Sequence, residues 1–307
     1  MFKIKTSLII LLFLFVSSIH AKSNPIIVIS IDGLRYDAIK IARATNLLKL
    51  METGNNFTKS STIDLSITLP SHTSMFTGLD YTEHGITWNE YKPENGVVKF
   101  PTFLELAKNN GSKTAMFITK DKLRHLLRPN SVDYFEQTDN KAHLVSTAFK
   151  NYLKTNDLPD VTFIHLPDPD REGHKFGWLS PFYLKAVKDA DKAVDIIIKL
   201  AREKNKNVIS IISADHGGTF FEHLLPIETN RHTPMIVNGY NIKENQNIET
   251  PVKIYDIAAT VLKLLSIELP ENFTGKPLPL SLIGEEELAK STKTNNKTIL
   301  DKPVLTH

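Results

Sequence analysis

Six side chains in this 307-residue sequence have the types and placement of a metal site: Asp32, Asp170, His174, Asp215, His216 and His232. Asp32 closes the apolar run IIVISI, and Asp215–His216 close NVISIISA. Asp170 and His174 stand in PDREGH, and His232 precedes TPMIV. Carboxylates and imidazoles with no thiolate suit Zn²⁺, or Mn²⁺ as the alternative, better than Ca²⁺ or Mg²⁺, which prefer all-oxygen shells. A hydroxyl residue, Thr68 in ITLPSHTSMFTG, falls between the first and second of these groups. Two divalent cations beside a hydroxyl nucleophile are the equipment for attack on a phosphorus or sulfur ester.

Taken singly, each position has a plainer reading. Asp–Gly after a strand is a common turn, and so is the DHG of Asp215–His216. PDREGH places Asp and His one helical turn apart, but its Pro and Gly equally suit a loop. His232 also reads as a surface histidine. Thr68 precedes a short helix with Pro70 near its start and Gly78 at its end. Its hydroxyl either caps that helix or attacks at a helix N-terminus that favours negative charge. Ser66, Ser71 and Thr73 are rival hydroxyls. The metal reading rests on the set, not on any one member.

Such a set needs elements that bring distant residues to one rim. NPIIVISID, KTAMFIT, DVTFIHL and NVISIISA read as buried strands, and PMIVNGY as a short late one. RYDAIKIARATNLLKLMETG, PTFLELAKNN, KAHLVSTAFKNYLKT, SPFYLKAVKDADKAVDIIIKLAREK and PVKIYDIAATVLKLLSI read as helices. Near-continuous apolar strands alternating with helices predict an α/β fold, a mostly parallel central sheet sandwiched by helices. In such sheets ligands bind beyond the carboxyl ends of the strands, where these carboxylates fall.

Composition sets the surroundings. Hydrophobic residues make up 41% and charged residues 23%, ordinary for a globular chain, and the net charge of +3 argues for no nucleic-acid partner. Residues 1–21 show the charged, apolar and small-residue order of a signal peptide, with an apolar stretch too short to span a bilayer. The sequence thus predicts export to the periplasm or exterior of a bacterium, with no stable membrane span after cleavage. Cysteine is absent, so stability rests on the core rather than disulfides. Residues 22–284 are read as one catalytic domain and 285–307 as a flexible polar tail.

The motifs SIDGLRYD, TLPSHTSMFTG, EHGITWNEY, PDREGH, SADHGG and YDIAATVLKLLSIELP together resemble the alkaline phosphatase superfamily. Within it the sequence is most similar to the type I nucleotide pyrophosphatase/phosphodiesterase family. The resemblance implies an alkaline-phosphatase-like fold and two zinc ions, with Asp32, Asp215, His216 and Thr68 on one and Asp170, His174 and His232 on the other. It implies Thr68 as nucleophile and Asn89 as a donor to a phosphoryl oxygen. Leu69 stands where nucleotide-cleaving members often carry Phe, so Leu69, Trp88 and Tyr91 become the candidate substrate-binding residues. The RHTP setting of His232 departs from the family pattern, and His223 is its rival.

The leading expectation is an exported two-zinc hydrolase that cleaves phosphodiester or pyrophosphate bonds in a small-molecule ester through a phospho-threonine. A phosphomonoesterase or phosphoryl transferase on the same scaffold is the alternative, and a monoester enzyme would need a further cation, for which Arg171 is the nearest candidate. A non-catalytic binding protein is a third reading. A sulfatase would need a Cys/Ser-x-Pro-x-Arg pattern that this sequence lacks.

Overall fold

The computed structural model describes residues 24–283. The expected signal peptide (1–21) and polar tail (285–307) lie outside the described residues. In chain order the elements are β1 (Ile26–Ile31), α1 (Tyr36–Ile41), α2 (Thr45–Glu52), β2 (Asn55–Phe57), β3 (Ser60–Ser61), α3 (Thr68–Thr77), α4 (Tyr81–His84), α5 (Phe103–Asn109), β4 (Thr114–Ile118), β5 (Tyr134–Gln137), α6 (Ala142–Thr155), β6 (Val161–Leu166), α7 (Asp168–Phe176), α8 (Pro181–Lys204), β7 (Ile209–Ser213), α9 (Glu228–Arg231), β8 (Met235–Gly239), β9 (Gln246–Ile248), β10 (Val252–Lys253) and α10 (Asp256–Leu264).

The eight-stranded sheet runs β5-β4-β6-β1-β7-β8-β2-β9. Neighbours from β5 to β7 are parallel, and β8 alone is reversed against both β7 and β2. Every residue of β1, β4, β6 and β7 is buried, as their unbroken apolar runs require. Alternation along β1 splits the core into two layers. Ile27, Ile29 and Ile31 meet α1, α2, α6 and α8 on one face, while Ile26 and Val28 meet α3, α5 and α10 on the other. Truncating one such central residue, Ile29→Ala, would cost about 2–5 kcal/mol. No helix among the described residues is long and apolar enough to cross a membrane.

Two local expectations change. The segment read as one helix after β1 is two, α1 and α2, broken where Arg43 adopts φ 53°. The cause is tertiary: the Asp191 carboxylate on α8 accepts the backbone N–H of Leu47 at 2.7 Å and of Asn46 at 3.3 Å, capping a new helix start. PDREGH, open between loop and helix, forms α7, so Asp170 and His174 share one helical face.

Candidate active site

Asp32 follows β1, Asp170 lies in the first turn of α7 just after β6, and Asp215 and His216 follow β7; β6 and β7 flank β1 in register. Separations of up to 184 residues thus collapse to side-chain contact at one sheet edge, with His216 Nε2 3.6 Å from Asp32 Oδ1. Asp170 N–H donates to Asp32 O at 3.0 Å, and Gly33 N–H donates to the Asp215 carboxylate at 3.1 Å. Gly33 has φ 70°, and a Cβ there would stand 2.7 Å from Asp170 Cα, so only glycine permits this approach.

Two groups of potential ligand atoms result, each within 4.8 Å: Asp32, Asp215 and His216, and Asp170, His216 and His223. Four atoms at their centre, Asp32 Oδ1, Asp170 Oδ1, Asp215 Oδ2 and His216 Nε2, are buried without a hydrogen-bond partner. Orphaned polar atoms are costly in a protein interior, and four converging ones fit a cation. The imidazoles agree. His216, His223 and His174 each turn Nδ1 onto a backbone carbonyl, of Gly217 at 2.8 Å, Ser66 at 2.6 Å and Phe221 at 2.9 Å. The Nδ1–H must donate there, which leaves every Nε2 lone pair for a ligand bond. His174 Nε2 lies 3.3 Å from Asp170 Oδ1. This donor set fits Zn²⁺ or Mn²⁺.

Electrostatics follow burial and neighbours. Burial pushes the His223 imidazole down to about 3, with His216 adding to the effect, and burial likewise lowers His216. Both rings are neutral, as ligation requires. The Asp170 carboxylate, 3.3 Å from its Nε2, raises His174. Burial would push Asp32 and Asp170 up, yet the Lys120 ammonium holds both below the ordinary carboxylate range. Burial and the Asp32 charge raise Asp215 well above it.

Thr68 opens α3 and is buried. His72, one turn on, donates from Nδ1 to Thr68 O at 2.8 Å and lies 3.5 Å from Asp215 Oδ2. On the other side, Ser66 Oγ–H donates to His223 O at 2.5 Å. Thr68 is thereby held between two contacts to the carboxylate–imidazole cluster. The rival hydroxyls are engaged: Ser66 with His223, Ser71 with Thr62, and Thr73 with Leu69 O. The Thr68 hydroxyl makes no hydrogen bond among the described residues. Asn89 Oδ1 accepts Leu69 N–H at 2.9 Å, which fixes the amide beside Thr68 and leaves its NH₂ to donate.

Three expectations are corrected. His232 is not in the cluster: its ring stacks on Tyr36 with centroids 4.5 Å apart, and its Nε2 faces Thr58 O at 3.0 Å. His223 stands where His232 was expected. Leu69 is fully buried in the apolar layer beneath α3 and offers no surface to a substrate. Arg171 turns away to Asp168 at 3.0 Å and Glu172 at 2.8 Å. Trp88 lines a cavity of about 140 Å³ with His84, Asn95 and His125, and half-exposed Tyr91 packs on His125 at 5.1 Å.

Sequence reading missed Lys120 and His165. Lys120 follows β4, on the same strand-end rule that picked out the carboxylates, and His165 lies within β6. Lys120 Nζ is 2.7 Å from Asp32 Oδ2 and 2.6 Å from Asp170 Oδ2. His165 Nε2–H donates to the same Asp32 oxygen at 2.8 Å, and Thr119 Oγ1 meets its Nδ1 at 2.8 Å. The loop that carries His223 is apolar and open, with Phe220 80%, Leu224 61% and Leu225 60% exposed.

The sequence matches the family model described as type I phosphodiesterase/nucleotide pyrophosphatase over residues 26–263. It is 26% identical over 216 residues to bis(5'-adenosyl)-triphosphatase enpp4 of Xenopus laevis, covering 64% of this chain and 48% of the relative. It is 28% identical over 165 residues to the 2,3-bisphosphoglycerate-independent phosphoglycerate mutase of Staphylococcus aureus (strain Mu50), covering 52% of this chain and 31% of that one. The chain thus spans less than half the length of these curated relatives. Among solved structures, murine ectonucleotide pyrophosphatase/phosphodiesterase 5 superposes with a TM-score of 0.69 at 14% identity, covering 81% of this chain and 97% of that one. An inactive threonine-to-alanine form of that murine protein is solved in complex with AMP, also with a TM-score of 0.69 at 14% identity and covering 82% of this chain and 97% of that one. A 2-O GAG sulfatase superposes with a TM-score of 0.71 at 14% identity, covering 83% and 73%. These likenesses establish the alkaline-phosphatase-like architecture.

Proposed function

This chain belongs to the type I phosphodiesterase/nucleotide pyrophosphatase family, and on that footing we propose that it is an exported two-zinc hydrolase of phosphodiester or pyrophosphate bonds. The observation that carries this reading is the convergence of four unpartnered buried atoms from Asp32, Asp170, Asp215 and His216 beside an uncommitted Thr68 hydroxyl. His223 and His174 complete the ligand set. Bound there, divalent ions would lower the pKa of the hydroxyl and offset charge on the departing oxygen.

Thr68 Oγ attacks phosphorus, and an O–P bond forms as the P–O bond to the alcohol or nucleotide leaving group breaks. Water then cleaves the Thr68–phosphoryl bond and regenerates the hydroxyl. The Asn89 NH₂, held by its bond to Leu69 N–H, donates to a phosphoryl oxygen as charge develops. An inactive threonine-to-alanine form of a structural neighbour, solved with AMP, is in keeping with a threonine nucleophile and a nucleotide-bearing substrate. Trp88 and Tyr91 are the aromatic groups nearest Asn89 in sequence for holding the rest of such a substrate. Export follows from the expected signal peptide over residues 1–21.

The second reading, a phosphomonoesterase or phosphoryl transferase, needs an additional cation at the substrate, whereas the Lys120 ammonium is engaged by Asp32 and Asp170. The deciding experiment compares kcat/KM of the zinc-loaded protein for bis-p-nitrophenyl phosphate, p-nitrophenyl phosphate and p-nitrophenyl sulfate, with a chelator control. Chelator-sensitive diester preference upholds the diesterase reading. Monoester preference replaces it with the second, and no chelator-sensitive turnover sinks both.

A further inference from the structure

A carboxylate has two oxygens on one rotor, so holding one oxygen fixes where the other points. Asp32 and Asp170 obey this in parallel. Lys120 Nζ bonds Oδ2 of both, at 2.7 Å and 2.6 Å. Their Oδ1 atoms, buried and unpartnered, lie 3.6 Å and 3.9 Å from His216 Nε2. Asp32 belongs to one ligand group and Asp170 to the other, so a single ammonium links the two groups.

We propose that Lys120 is a positioning residue for the metal cluster: its ammonium pins Oδ2 of Asp32 and Asp170 so that their Oδ1 atoms converge on His216 Nε2. This inference rests on the reading of the cluster as metal-binding. The chain builds the device from two adjacent residues. Thr119 orients His165 onto Asp32 Oδ2, and Lys120 reaches the same oxygen directly. Both directly follow β4, which pairs with β6, so the sheet that places the ligands also places the pinning groups. Lys120 is largely buried, its side chain 15% exposed. It is committed to these carboxylates rather than to solvent.

Charge and geometry predict opposite effects, which makes the proposal sharp. A cation beside a metal site repels the metal, so on charge alone its removal tightens binding. Loss of an orienting partner weakens binding, by about 10–100-fold for groups that hold metal ligands in place. Zinc affinity of the full protein, measured by competition with a chromophoric chelator, is compared among wild type, Lys120→Met, Lys120→Gln and Lys120→Arg. Positioning predicts about 10–100-fold weaker binding in Lys120→Met, an intermediate loss in Lys120→Gln, and recovery in Lys120→Arg, whose guanidinium can span two carboxylates. Unchanged or tighter binding in Lys120→Met overturns the proposal, and so does failure of Lys120→Arg to recover affinity. If Lys120→Met does not fold, as judged by circular dichroism, the Gln and Arg variants decide on the same criteria. A wild-type protein that binds neither zinc nor manganese overturns the metal reading itself, whereas a wild type that binds beside an unaffected variant overturns only the role of Lys120.

Discussion

The rings of His216 and His223 lie face to face, centroids 3.7 Å apart and planes 12° from parallel. Two imidazolium cations could not be stacked this closely in a buried site, and burial keeps both neutral. With both Nδ1 protons spent on backbone carbonyls, the pair presents two Nε2 lone pairs to one region. His223→Ala is therefore expected to lower zinc affinity by at least about 10-fold. His232→Ala, which removes a ring stacked on Tyr36, should leave zinc affinity within about 2-fold. Metal analysis after dialysis separates the two, and the reverse ranking would restore His232 as the ligand.

Thr68→Ala should reduce kcat by about 10⁴-fold or more, as loss of a nucleophile does, while bound zinc stays at the wild-type level. Steady-state kinetics beside elemental analysis tests this. Activity that survives in the variant assigns the nucleophile to another group.

Asn89→Ala should lower kcat about 10²–10³-fold with little change in KM, because its amide acts on charge that develops during reaction. Loss of the Leu69 N–H acceptor adds a small destabilisation at the start of α3, about 1 kcal/mol. A change confined to KM would show that Asn89 holds the ground state only.

Removing metal should destabilise the fold, since a ligand bound only to the native state adds RT ln(1 + [L]/Kd). At 100-fold excess over Kd this is about 2.7 kcal/mol, readable as a lower Tm after chelation and reversed by zinc. An unchanged Tm on full metal removal would argue against a bound ion at the four orphaned atoms.

His84 gives a pH prediction away from the cluster. Burial holds it down to about 4 from its ordinary 6.5, partly offset by its backbone hydrogen bond and by Asp80 and Glu83. The unfolded chain binds the proton first, so this stability is present above pH 6.5 and is lost as pH falls toward 4. Between pH 7 and pH 5 the loss is roughly 2 kcal/mol. His84→Gln should flatten that part of the acid dependence in urea unfolding. An equal slope in the variant would remove His84 as its source.

Much of this architecture was legible because burial on both faces leaves a strand no polar positions. β1, β4, β6 and β7 therefore read as apolar runs, and Asp32 and Asp215 were found by standing at their ends. Strands such as β2, β3, β9 and β10 have only two or three residues, several of them polar, so they exist by pairing rather than by pattern. The break between α1 and α2 was illegible because Asp191, far along the chain, creates it. His223 and His232 have the same residue type and similar loop settings. Only the path of the loop, tied by Ser66 to His223, decides which ring enters the cluster. Lys120 obeyed the strand-end rule but escaped it, because a search for ligands counts acids and imidazoles and passes over the cation that orients them.

The loop after Gly218 holds His223 inward while Phe220, Leu224 and Leu225 point outward into solvent. One short segment thus carries both a fixed demand, a nitrogen at one point, and side chains largely open to solvent. Such a division is a route to diversification: the outward positions can be exchanged one at a time, altering what the mouth of the site tolerates, while the inward histidine keeps its anchor on Ser66.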